Sequence, residues 1–467
     1  MTSFKNIIFN RRFVFPFLIF VFSLCVVFFE FLNIPKNTTF DEIEFAKLAL
    51  QLNNKPYTPY SMYATGHATL YFYIILFSFK LFGVSLFSLR LPSAIFGVIN
   101  PLIFYFIMKK VFKPFCHPEF ISRSLNNKKM PKPSQEEQVR HDNFLLQYLP
   151  LILSFIFITL RWYFNFARFG FEVTFLLFLE LTSLLFILLF SEKKQIKYLI
   201  LSGIFTGLAY NSYQPGRIFI LVPFFFLVTK VLINNVVPIK VGVHQSILNR
   251  FRIKSGMTIL LYFLIPFIIL ISPLTFYLNI HKDTRFYQQF YPDNHEMTLQ
   301  EKETFFVRNL SSTIGIFNIK GDVNGRLNYP NKSALNPILG ILFIVGLCIS
   351  VKGLKKNNNQ MFLLWFFLSL APTLVTYPWE NPNMLRTFTV IPSVIYFIGL
   401  AIKTILDIKI IQKIIYRKIL FMTIFGLIFI SSVYELRTYF VHQSTVFKEA
   451  FEAERPLKTY LNIKNEK

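Results

Sequence analysis

Eleven stretches of roughly 20 apolar residues recur along the 467-residue chain, and a sequence built this way folds in a bilayer. They lie at about 13–33, 91–112, 144–160, 170–190, 196–212, 216–235, 257–279, 336–353, 360–376, 387–405 and 419–436. With 54% hydrophobic and 16% charged residues and a mean hydropathy of +0.48, the composition excludes an ordinary soluble domain. The expected fold is all-α and polytopic, with about 11 transmembrane helices. The first stretch follows Arg11-Arg12 like a signal-peptide start. The segment Phe29–Lys36 has no small-residue cleavage site, so it reads as a retained anchor.

Thr69–Gly83 is apolar but short, and it carries Lys80. If it spanned the membrane, the basic loop Lys109–Arg140 would lie outside; if it lies flat at the interface, every basic loop falls inside. The second choice leaves a charge excess of about +21 inside against about +6 outside. The net charge of +25 therefore reports topology and anionic headgroups, with no sign of nucleic acid as a partner. This predicts a plasma (inner) membrane protein with a cytoplasmic N-terminus. Its outer loops lie at about 34–90 and 280–335, with a short loop at 377–386. A transmembrane domain over 1–436 and a short outer tail over 437–467 follow, and the inner loop Lys113–Arg140 reads as a tether. No tandem repeat is evident, and Cys25, Cys116 and Cys348 have no pairing or metal spacing.

The acids and histidines concentrate outside, so the chemistry is expected there. Asp41-Glu42 follows Thr38-Thr39, either of which can cap a short helix. Asp41 could serve that helix N-terminus or act as a general base at the membrane face. At most one of Glu42 and Glu44 can share its site. His67, after Gly66, is either an idle interfacial imidazole or a donor to a phosphate. Glu172 could complement its own helix, pair with Arg168, or point into an outer cavity. Arg326 lies in Gly321-Asp322-Val323-Asn324-Gly325-Arg326, where the polar residues are ordinary turn formers and the arginine could hold an anion. Arg386 either snorkels to headgroups or meets a phosphate. Arginines and His67 around a lipid phosphate, with acids to activate a hydroxyl, fit one chemistry on a multi-span scaffold.

The block running from Asp41-Glu42 through Gly66-His67-Ala68-Thr69-Leu70-Tyr71 to Ser88-Leu89-Arg90-Leu91-Pro92-Ser93-Ala94 resembles the family 39-like glycosyltransferases of the GT-C class. That group includes protein O-mannosyltransferases and lipid A aminoarabinose transferases. The resemblance continues through Ala167-Arg168-Phe169-Gly170, Gly321–Arg326 and Leu385-Arg386-Thr387-Phe388, over roughly residues 10–400. It implies a GT-C fold with interfacial helices in the first outer loop. It also implies transfer of a sugar from a polyprenyl-phosphate carrier to a lipid, glycan or protein acceptor on the outer face. Under it Asp41 would be the catalytic base, Glu42 would complete its motif, and Glu172 would be a second acid. His67 falls where relatives place a basic residue near the carrier phosphate; Arg326 and Arg386 match motif positions, and their charge, with that of Arg168, suits contact with the same phosphate. A divalent metal is possible in such a site, although no His and carboxylate cluster marks one. The competing class is a flippase or transporter of lipid-linked sugars. It calls for polar residues near mid-membrane, where Glu180 is the notable candidate. An inactive scaffold would leave Asp41, His67 and Glu172 without a role.

Overall fold

The computed structural model describes residues 11–63, 66–112, 147–236, 256–281, 288–407 and 414–463. The loop read as a tether, the loop at 237–255 and Cys116 lie outside the described residues.

Every apolar stretch forms a helix. The chain opens with α1 (Arg11–Phe28), then α2 (Phe40–Gln51), α3 (Leu70–Phe82) and α4 (Leu86–Val111). It continues with α5 (Leu149–Thr159), α6 (Arg161–Phe166), α7 (Val173–Lys193), α8 (Ile196–Tyr210), α9 (Leu221–Val236) and α10 (Gly256–Ile280). After these come α11 (Leu299–Gly315), α12 (Pro337–Lys352), α13 (Asn357–Leu374), α14 (Ile391–Leu406) and α15 (Ile414–Arg437). A π turn, Thr438–Gln443, carries α15 on into α16 (Ser444–Ala450), so helix continues past residue 436.

Five segments are long and apolar enough to cross a bilayer: Leu86–Val111, Val173–Lys193, Met257–Ile280, Phe388–Leu406 and Ile415–Ala450. Shorter apolar helices, among them Phe13–Phe28, Leu149–Thr159, Ile196–Tyr210 and Pro337–Lys352, complete the bundle. The chain is an integral membrane protein. α3, at 13 residues, is another of the shorter apolar helices and rises about 20 Å. One face of α3 buries Tyr71, Phe72, Ile75 and Phe79, while Phe77, Leu81 and Phe82 stay exposed, as suits a helix lying at an interface.

The first loop, the 316–335 segment, the 377–386 loop and the C-terminal segment meet at one end of the bundle, termed here the site end. Thr38 and Ala453 exchange backbone hydrogen bonds, and Asp322 accepts from the Met384 amide. The C-terminal segment is thus packed against the first loop, with Phe451 fully buried and 5.8 Å from the Arg90 guanidinium.

At the centre of this end lies α6. The helix α5 stops where Leu160 leaves the helical region, and α6 restarts at a new angle. Its polar side chains then reach in several directions. Arg161 donates to Asn328 and the Ser333 carbonyl and lies 3.3 Å from Glu435. The Trp162 indole donates to the Met384 carbonyl at 2.9 Å. Asn165 donates to the carbonyls of Arg326 and Leu327, at 3.1 Å each. Buried backbone carbonyls need such donors, and α6 supplies them to two loops at once.

Candidate active site

Asp41 and Glu42 sit in the first turn of α2, whose N-terminus Thr39 caps. The Thr39 hydroxyl accepts from the Glu42 amide at 3.0 Å, and the Glu42 carboxylate accepts from the Thr39 amide at 3.2 Å. This reciprocal box fixes the two carboxylates about 100° apart around the helix, so they enter different environments.

Glu42 turns inward and is fully buried. Its Oε1 accepts from Arg90 Nε at 2.8 Å and from the Gly170 amide at 2.9 Å; its Oε2 accepts from Arg90 Nη2 at 2.9 Å. With the Thr39 amide, these bonds use all four acceptor positions of a carboxylate. The remaining donors of Arg90 go to the carbonyls of Pro35 and Asn37. The expectation of a catalytic Glu42 is corrected here: a carboxylate with no open acceptor position takes no proton from an acceptor, and Glu42 instead ties α2 to α4 and to the start of α7. Arg90, a lone charge near the start of an apolar helix, was readable as a special residue; its partner was not.

Arg168 needs a similar correction. It is fully buried and donates to the carbonyls of Val26, Val27, Glu30 and Ile34 and to the Tyr439 hydroxyl, at 2.7–3.2 Å. The last turn of a helix leaves carbonyls without amide partners, and Arg168 satisfies those at the end of α1. No donor nitrogen is left for a phosphate, and Arg168 is not the partner of Glu172.

That partner is His67. Its Nδ1 lies 3.6 Å from Glu172 Oε1, and both side chains are nearly sealed. His67 belongs to a small hairpin in which Tyr60–Ser61 pairs with His67–Ala68. Gly66 is required by that turn: its φ is +100°, and a Cβ there would lie 2.1 Å from the Tyr60 hydroxyl. The rings of Phe45 and Phe72 stand 5.2 and 5.3 Å from the imidazole. Glu172 makes no side-chain cap on α7. His67 and Glu172 are therefore a buried pair linking the hairpin to α7.

Asp41 points outward with half of its side chain exposed, and Arg326 Nη1 donates to its Oδ2 at 2.6 Å. Arg326 is itself oriented by Asn324, whose Oδ1 accepts from the Arg326 amide at 3.0 Å and from Nε at 3.5 Å. Arg386 pairs with Glu380, with 11% of its side chain exposed, so it is drawn in rather than extended toward headgroups. Its Nη1 is buried with no hydrogen-bond partner among the described residues.

Both arginines act electrostatically on Asp322. Burial raises its carboxyl from 3.8 to about 6, a shift held back by the Asn324 and Met384 amides and by the Arg386 and Arg326 charges. The site end thus has an open set, Asp41 and Arg326, with the largely buried Arg386 and the buried Asp322 in the adjoining loops, and a sealed set, Glu42, Arg90, Gly170, His67 and Glu172. Asp322 was read in the sequence only as a turn former.

Among the described residues, no three His, Cys, Asp or Glu side chains come together as a metal centre. Asp41 is half exposed, and the Arg326 guanidinium already meets it. Glu180 is buried between α7 and α13, where its Oε2 accepts from the Trp365 indole at 3.2 Å.

Comparison with known proteins agrees with this architecture. The family described as dolichyl-phosphate-mannose-protein mannosyltransferase matches residues 66–115, from the hairpin through α4. No curated protein matches in sequence. Among solved structures, the apo oligosaccharyltransferase of Archaeoglobus fulgidus aligns with a TM-score of 0.52 at 13% identity. The alignment covers 94% of this chain and 56% of that one. ArnT from Cupriavidus metallidurans bound to undecaprenyl phosphate aligns with a TM-score of 0.45 at 12% identity, covering 93% of this chain and 76% of that one. This chain thus spans little more than half the length of the oligosaccharyltransferase whose fold it shares. The expected resemblance holds, and the fold is the polytopic membrane fold of the GT-C class.

Proposed function

We propose that this chain is an inverting glycosyltransferase that moves a sugar from a polyprenyl-phosphate carrier to an acceptor hydroxyl at the site end, on the outer face of the membrane. The observation that carries it is the half-exposed Asp41–Arg326 pair at the end of an integral membrane bundle, with a buried guanidinium nitrogen of Arg386 unpartnered. The match of residues 66–115 to a family named for a dolichyl-phosphate sugar donor supports the carrier class. The charge asymmetry of the loops supports the outer face and a cytoplasmic N-terminus.

In this mechanism the carrier phosphate competes with Asp41 for Arg326 and bonds the unpartnered Nη1 of Arg386. Losing its guanidinium partner frees the Asp41 carboxylate to accept a proton. The acceptor oxygen attacks the anomeric carbon from the face opposite the phosphate, and its proton passes to Asp41. The bond from the anomeric carbon to the phosphate oxygen breaks, and its electron pair stays on the phosphate, where the two guanidiniums stabilise it. One displacement inverts the configuration. The arginines are assigned the charge of the leaving group; a divalent metal, if used, would have to enter beside Asp41 by displacing Arg326. Glu42, Arg90, Arg168 and the His67–Glu172 pair hold the loops that present the open set.

Native mass spectrometry of the gently purified protein tests the donor class. A co-purifying polyprenyl phosphate or its sugar adduct is the expected result. No retained lipid, together with no binding of added polyprenyl phosphate, would overturn the reading.

A further inference from the structure

We propose that Asp322 is a positioning residue that holds Arg326 and Arg386 together as one anion site, a role resting on the reading of that site as the seat of the carrier phosphate. Asp322 is 3% exposed, yet it lies in a loop, and no Lys, Arg or His among the described residues forms a direct ion pair with it. Its two oxygens take different partners. Oδ1 accepts from the Asn324 amide at 2.8 Å and Oδ2 from the Met384 amide at 2.9 Å. One carboxylate thus joins loops that are 62 residues apart in sequence.

Each loop carries its arginine two residues beyond the clamped amide. Asn324 leads to Arg326 and also orients its guanidinium through the side-chain amide oxygen. Met384 leads to Arg386, whose own amide is held by Asn383 Oδ1 at 2.9 Å. Trp162 fixes the Met384 carbonyl and Asn165 those of Arg326 and Leu327, so α6 supports both loops from beneath. Two guanidiniums brought together repel one another, and a buried carboxylate between their loops offsets that repulsion.

An amide at position 322 could not replace the carboxylate. Asparagine has one acceptor oxygen, and its NH2 group would face a backbone N–H that needs an acceptor. Asp322→Asn therefore opens one of the two clamps while conserving shape. The arginines remain in the protein but are no longer held at a fixed separation.

The test is binding of a polyprenyl phosphate of defined length to the full chain in nanodiscs. Four proteins are compared: unaltered, Asp322→Asn, the Arg326→Ala/Arg386→Ala double variant, and that double variant with Asp322→Asn added. The expected result is an affinity loss of about tenfold in Asp322→Asn and no further loss when the same change is made without the arginines. Unchanged affinity in Asp322→Asn, or an equal loss in the arginine-less background, would overturn the positioning role. If Asp322→Asn does not fold, Asn324→Pro removes the backbone N–H that donates to Asp322 Oδ1, at a partly exposed residue. It is expected to weaken binding several-fold only when Arg326 is present, and unchanged binding there also overturns the proposal. Failure of the unaltered protein to bind the lipid at all would instead overturn the reading of the site.

Discussion

Two ion pairs leave the first turn of α2 from adjacent residues, and they differ in nearly every physical respect. Glu42–Arg90 has no exposed side-chain surface, and its carboxylate has no acceptor position left. Asp41–Arg326 has 50% and 27% of its side chains exposed and one direct hydrogen bond. A buried, fully bonded pair resists change, because removing one partner strands a charge away from water. A half-exposed pair costs little to separate, so an incoming anion can replace one partner. The lesson is that a pair of neighbouring acids in a membrane protein need not share a task. The helix turn separates them into one residue sealed inside the bundle end and one that faces outward.

This contrast can be broken most sharply by paired substitutions. Asp41→Asn is expected to lower sugar transfer by about 100-fold to 10,000-fold with the thermal midpoint unchanged, as loss of a general base does. Glu42→Gln should do the opposite, placing an NH2 group against Arg90 and the Gly170 amide. We expect a loss of stability of about 3–5 kcal/mol, seen as a lowered unfolding midpoint in detergent. If Glu42→Gln left stability intact while abolishing transfer, the division of labour between the two acids would be wrong.

Arg386→Gln sharpens the open side. It keeps a polar side chain but removes the guanidinium, and the expected result is about tenfold weaker polyprenyl-phosphate binding with stability little changed. An equal affinity in the variant would remove Arg386 from the phosphate site.

A further effect concerns pH. Asp322 has a folded value of about 6 against an ordinary 3.8, so its ionised form is the costly one. That cost is fully present above pH 6 and is relieved as pH falls from 6 toward 3.8. The unaltered protein should therefore gain thermal stability relative to Asp322→Asn across that window. A difference that stays flat, or that grows in the other direction, would show that Asp322 is not held in a desolvated pocket.

Much of the fold was legible because a bilayer leaves few choices. Apolar stretches must be helices, a short one with a lysine must stay at the surface, and Thr39 before Asp41 marks a helix start. The pairings were not legible, because they join distant positions. Asp41 meets Arg326 across 285 residues, and Glu42 meets Arg90 across 48. Arg168, four residues from Glu172, looked like its partner, but the chain between them bends at Gly170, and the carbonyls of Val26, Val27, Glu30 and Ile34 and the Tyr439 hydroxyl take its donors. Asp322 was hidden for another reason. In a Gly-, Asn- and Asp-rich run it looks like turn chemistry, and only the Met384 amide brought in from the other loop distinguishes it.

The central claim is that the open pair performs the chemistry while its sealed neighbour builds the site. Its most direct test is release of polyprenyl phosphate from a labelled polyprenyl-phosphate sugar, followed in nanodiscs for the unaltered protein and Asp41→Asn, with carrier binding measured on the same samples. The account predicts that Asp41→Asn binds the carrier and releases almost none of it. Release at the unaltered rate, with binding intact, would contradict it.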